Sequence, residues 1–130
     1  MPKRILSHLA HVELLTPKLE DSAVFFKDKL GLVETARTGK SVFLRCWGEH
    51  YHHSIVLTGA EQPGLGHAAW RTEGREELNE AVSRIEASGI RGEWRDESLG
   101  HGRAYRFRGP GGHCHEVFWE VDRFDAPAEL

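Results

Sequence analysis

A succession of strand, helix and three strands occurs twice along this chain, and no other feature restricts its fold as much. Leu9 to Leu15 is a short apolar-rich run stopped by Thr16-Pro17, and Asp21-Ser22 then opens a predicted helix through Val24, Phe25, Phe26 and Leu30 that Gly31 ends. Strand-like runs follow at Leu32 to Arg37, Ser41 to Trp47 and His52 to Thr58, parted by Thr38-Gly39-Lys40 and Gly48-Glu49-His50. Beyond the turn cluster Glu61-Gln62-Pro63-Gly64, His67 to Arg71 reads as a strand. Arg75 to Ser88 reads as a helix, with Leu78, Ala81, Val82 and Ile85 on one face and Gly89 as its cap. Three more strands are expected near Gly92 to Arg95, Arg103 to Arg108 and Cys114 to Val121. Two βαβββ units, about residues 9–58 and 66–121, therefore predict one α+β module within residues 1–123, while residues 124–130 lack periodicity and read as a tail or the start of a linker.

Composition agrees with one such module. The chain has 130 residues, of which 39% are hydrophobic, enough for one core. No apolar run approaches the roughly 20 residues that span a bilayer, and the first residues lack the apolar stretch of a signal peptide, so no membrane contact and no export are expected. The 17 basic and 20 acidic residues give a net charge of -3, without the cationic footprint that nucleic acid requires. Cys46 and Cys114 are too few for a disulfide framework and are expected as reduced core thiols of a cytoplasmic protein.

Alternation sorts each strand into two faces. Val12 and Leu14 oppose His11, Glu13 and Leu15. Ile55 and Leu57 oppose His52, Ser54 and Val56. Ala68 and Trp70 oppose His67, Ala69 and Arg71, and Val117, Trp119 and Val121 oppose Cys114, Glu116 and Phe118. One apolar set per strand is left to pack beneath the helices, and His11, His67 and Glu116 gather on the other face. Two neutral imidazoles and a carboxylate are the ligand set of a mononuclear facial triad with open positions, but on parity alone a strand histidine is more often an ordinary hydrogen-bonded core or surface residue.

The repeat, His11-Val12-Glu13-Leu14, Phe25-Phe26 to Leu30-Gly31-Leu32, Gly66-His67, and Pro110-Gly111-Gly112-His113 to Glu116-Val117-Phe118 resemble the vicinal oxygen chelate superfamily. Within it they resemble type I extradiol ring-cleaving dioxygenases. The resemblance implies paired βαβββ units in a half-open barrel, with His11, His67 and Glu116 as ligands of Fe(II) or another divalent metal. It also implies His52 as an acid-base residue on the fourth strand, a catechol-type aromatic diol as substrate and O2 as co-substrate. Glyoxalases of the superfamily have a fourth ligand where this chain has Val56, and bleomycin-resistance proteins bind small molecules as metal-free dimers. Extradiol enzymes of this type have two modules, so the chain resembles an N-terminal module, either catalytic or a non-catalytic scaffold. The family's second-sphere tyrosine corresponds here to Arg106, with Tyr105 turned towards the helices, and its second-sphere histidine aligns with Glu97, near His101.

Other polar clusters are expected to be structural. His50 and His53 read as solvated loop residues, and alternation sends His113 and His115 away from Cys114 and Glu116. Gly64-Leu65-Gly66 and Gly100-His101-Gly102 read as turns because strands, not helices, follow them. Glu13 and Arg71 read as solvated, with orienting contacts to the ligands as the alternative. Open strand edges predict association, as a homodimer or with a second module, with Phe43, Phe118 and the tryptophans as contact residues.

Overall fold

The computed structural model describes residues 3–96 and 98–121, so the tail expected at 124–130 and the residue Glu97 lie outside the described residues. It is an α+β structure with the anticipated order of elements. β1 (Leu6–Thr16), α1 (Leu19–Val24) with a π-helical turn (Phe25–Lys29), β2 (Val33–Thr38), β3 (Ser41–Arg45) and β4 (Ile55–Gly59) form the first repeat. β5 (Gly64–Thr72), α2 (Arg75–Ala87), β6 (Glu93–Arg95), β7 (Ala104–Arg108) and β8 (Cys114–Phe118) form the second. No helix among the described residues is long and apolar enough to cross a membrane.

The chain divides into two compact units that do not coincide with the repeats: residues 11–66 form one, and residues 67–121 together with residues 3–10 form the other. In the unit of residues 11–66 the strand order is β2-β3-β4-β1. β1 runs parallel to β4, with Leu14 beside Leu57, and β3 pairs antiparallel with both β2 and β4. The face beneath α1 buries Ala23, Val42, Leu44 and Leu57, with Leu14, Leu19, Phe26 and Ile55 packed around them. In the other unit β5 runs parallel to β8, and β8, β7 and β6 follow as an antiparallel meander. Leu78 and Val82 of α2 pack on Tyr105 and Val117, surrounded by Trp70, Trp94, Phe107 and Trp119. Tyr105 thus faces the helix, as its parity requires.

Local chemistry explains where the elements depart from the sequence pattern. The first helix begins at Leu19, ahead of Asp21-Ser22, because the Thr16 hydroxyl accepts the Lys18 backbone N–H at 3.0 Å and pairs with Ser22 Oγ at 2.8 Å, organising the entry after Pro17. Gly64-Leu65-Gly66 is not a turn but the start of β5. β4 begins only at Ile55, so His52 lies on a bend before the strand. β8 ends at Phe118, after which alternation lapses, and Val121 packs with Ala69, Ala104 and Phe118 instead of joining Val117 beneath the helix. Cys46 is exposed and Cys114 half-buried, both as free thiols, so neither is a core residue. Phe118 is 1% exposed, which removes it from any contact surface.

Candidate functional site

In the unit of residues 67–121 the face turned away from α2 is lined by Ala69, Ala104 and Phe118. The two alanines leave room for polar groups on the same face. Glu116 stands beside Ala69 across β5 and β8 and opposite Arg106 across β7 and β8. Its carboxylate, only 2% exposed, is held from both sides. Arg106 donates from Nε to Oε1 at 2.8 Å and from Nη2 to the same oxygen. Oε2 is turned to two imidazoles, with His67 Nε2 at 3.7 Å and His101 Nε2 at 3.9 Å. His101 is buried, packs at a tilt against the Phe118 ring, and lies with Nδ1 2.7 Å from the Gly102 carbonyl. A carbonyl can only accept, so Nδ1 carries a proton and donates it to Gly102. His67 and Glu116 therefore meet on one face, as expected from alternation, and Arg106 and His101 join them. His101 occurs within a segment that reads as a turn; the signal for it was a histidine between two glycines, where little else can fill space.

His113 and His115 point away from Glu116, again as alternation requires. Trp70 Nε1 donates to His115 Nδ1 at 3.1 Å, and burial, followed by the nearby His113, holds the His115 pKa below its usual value. Arg71 donates from Nε to the Trp119 carbonyl at 2.8 Å, so it has a structural contact where a solvated role was expected.

In the unit of residues 11–66, His11 is 4% exposed on β1 and its ring centroid lies 4.5 Å from that of His53. His53 is itself buried and packs edge-on against Phe43, contrary to the expectation of a solvated loop. His50 is exposed, as expected. The reason is the loop that follows β3. Arg45, also buried, donates to the carbonyls of Trp47 and Glu49, and the Glu49 carboxylate accepts the Cys46 N–H at 2.8 Å and the Ser54 hydroxyl at 2.9 Å. The loop closes on itself and folds His53 inward. His52 is half-buried, with Nδ1 2.8 Å from Nδ1 of His53, so one of the two rings donates and the other accepts. Glu13 accepts the Thr58 hydroxyl at 2.7 Å, which in turn contacts Ser41 Oγ at 2.8 Å. Val56, at the place of a fourth glyoxalase ligand, is a buried apolar residue and cannot ligate.

Residues 8–117 match the family model of the Glyoxalase/Bleomycin resistance protein/Dioxygenase superfamily. The chain belongs to that superfamily. It is 44% identical over 124 residues to a metapyrocatechase of Geobacillus stearothermophilus, an alignment that covers 95% of this chain and 38% of the relative. It is 37% identical over 124 residues to a manganese-dependent 2,3-dihydroxybiphenyl 1,2-dioxygenase of Geobacillus genomosp. 3, covering 94% of this chain and 39% of that one. Among solved structures, homoprotocatechuate 2,3-dioxygenase of Brevibacterium fuscum, in complex with 3,4-dihydroxyphenylacetate, superposes with a TM-score of 0.86 at 31% identity over 94% of this chain and 39% of that chain. The fold is thus that of the vicinal oxygen chelate proteins, and the chain is an extradiol dioxygenase-like module spanning less than two-fifths of these relatives' length.

Proposed function

We propose that this module belongs to an Fe(II)-dependent extradiol dioxygenase that opens catechol-type aromatic diols with O2, and that His11, His67 and Glu116 hold the ion. The observation that carries the reading is Glu116, a buried carboxylate with one oxygen turned to the imidazole of His67. Burying such groups costs free energy, and their concentration on one face marks a functional site. His11 supplies a further buried imidazole, and each of the three residues offers one ligand atom. Three protein ligands suit Fe(II) with open positions, as they do manganese, which one relative's name specifies. The chemistry a bound ion supplies is acidification of the diol and passage of electron density from the ring to O2.

The remaining work falls to the chain. His11, His67 and Glu116 would hold the ion, each with one ligand atom. His52 takes or returns the proton of a diol hydroxyl, passing it by its Nδ1 contact to His53. Phe43, packed edge-on against both rings, limits water around that relay. Anaerobic Fe(II) or Mn(II) loading followed by a catechol assay for the yellow ring-opened product tests the reading, with metal analysis of His67→Ala beside it. The expected result is about one ion per chain, ring opening, and loss of both in the variant. A starting protein that binds neither metal ends the proposal.

The pairing of Arg106 with Glu116 favours a second reading, a non-catalytic N-terminal scaffold that supports a catalytic partner module. Under it, ring cleavage by a longer protein carrying this chain survives His67→Ala unchanged. Both readings place the protein in the cytoplasm and in contact with a second module or a second copy of itself, without nucleic acid.

A further inference from the structure

Arg106 lies directly opposite Glu116, and two nitrogens of its guanidinium, Nε and Nη2, converge on Oε1, leaving Oε2 on the side of His67. A buried carboxylate needs a compensating cation. Here the fold supplies one covalently, at the place where the family's pattern has a tyrosine.

We propose that Arg106 is a built-in substitute for the charge of the metal: it balances and orients Glu116 in the metal-free chain, confines the carboxylate to one ligand oxygen, and thereby weakens divalent-metal binding. The inference rests on the metal reading above. Two further observations support it. Arg106 reaches Glu116 through two nitrogens where a lysine or a hydroxyl has one donor atom, and both bonds go to Oε1, so Oε2 is left presented to the imidazoles. Arg106 also forms one wall of a cavity of about 510 Å³ that Arg91, Arg95 and Arg108 line as well, with Glu93 the one acidic lining residue. A divalent ion held by Glu116 would share that carboxylate with Arg106, in surroundings where like charges repel more strongly than in water.

The test is titration of the metal-free chain with Mn(II), followed by electron paramagnetic resonance, for the starting protein, Arg106→Met, Arg106→Lys and Arg91→Gln. Arg106→Met is expected to bind Mn(II) at least about tenfold more tightly, whereas Arg106→Lys and Arg91→Gln stay within about threefold of the starting protein. Thermal melts supply a readout independent of affinity: Arg106→Met melts lower without metal, and Mn(II) raises its Tm by more than it raises that of the starting protein. If Arg106→Met fails to fold without metal, recovery of its circular dichroism spectrum on adding Mn(II) supports the proposal, and Arg106→Gln then provides the affinity comparison. A folded Arg106→Met or Arg106→Gln that binds no more tightly than the starting protein overturns the substitute-cation role and leaves the metal site standing. Absence of Mn(II) binding in every variant overturns both.

Discussion

A β-carbon added at residue 66 would lie 2.0 Å from Glu13 Oε1, a side chain already tied to Thr58. Gly66 is therefore a space requirement, and Gly66→Ala is expected to destabilise by about 2 kcal/mol in urea unfolding. Shortening Glu13 to Ser in the same chain should recover most of that loss, and strictly additive effects would show that the collision is not the cause. Gly31 is glycine for a different reason. Its φ of 76° lies in the left-handed region, while nothing sits within 4 Å of the place a β-carbon would take, so only the backbone objects. Gly31→Ala should cost about 1 kcal/mol and Gly31→Asn less, since Asn tolerates that region; equal penalties would contradict the assignment. The two glycines show why one residue type carries two kinds of information, of which the sequence reading recovers the terminating role of Gly31 and misreads Gly66 as part of a turn.

Between elements, Glu34 is the joint that fixes β2 to the first helical segment. Its carboxylate accepts from Lys27 at 2.9 Å and from Arg37 Nε at 3.1 Å, and Arg37 reaches on to Glu20. The Arg37 bonds first, then Lys27, lower the Glu34 pKa from 4.5 to about 2. A depressed carboxylate stabilises the fold above its unfolded pKa, so this contribution is complete above pH 4.5 and is lost as the pH falls towards 2. After screening at this partly exposed site it amounts to roughly 1 kcal/mol. Glu34→Gln should therefore lower stability near neutral pH by about that amount and flatten the acid limb of the stability profile; an unchanged acid limb would count against the joint. Elements were legible where one local rule acts alone. The 3.6-residue spacing of Leu78, Ala81, Val82 and Ile85, with Gly89 beyond, placed α2 to within a residue of its end. The start of α1 and the beginning of β4 were obscured because long side-chain reach decides them: Thr16 to Ser22 in one case, Arg45 and Glu49 across a loop in the other. The same loop concealed His53, whose burial is set by those contacts and has no periodic signature. Alternation did bring out His67 and Glu116 as neighbours on one face, since β5 and β8 are regular there, but it is silent on the charge opposite, and Arg106 entered only as a departure from a family pattern.

For the molecule as a whole, the outermost strands of the two units, β2 and β6, each pair on one side within their own unit. Association is expected, and sedimentation velocity at high micromolar concentration should show a dimer of this chain; a strict monomer would leave a second module as the partner. The path of β1 has its own consequence. Leu6 to Ala10 belong to the unit of the second repeat, and His11 to Thr16 belong to the unit of the first. Ile5 accepts the backbone N–H of Glu73 at 2.9 Å, a bond within the unit of residues 67–121. Deleting the first ten residues should accordingly raise hydrogen exchange in β5 more than in β3 and β4, although β3 and β4 are nearer in sequence; the opposite order would refute this division. A gene severed between its repeats would deliver those ten residues to the half that does not use them. Duplication or recombination with a breakpoint between the repeats therefore separates β1's first residues from the unit they pack in, whereas copying the whole module keeps both units intact.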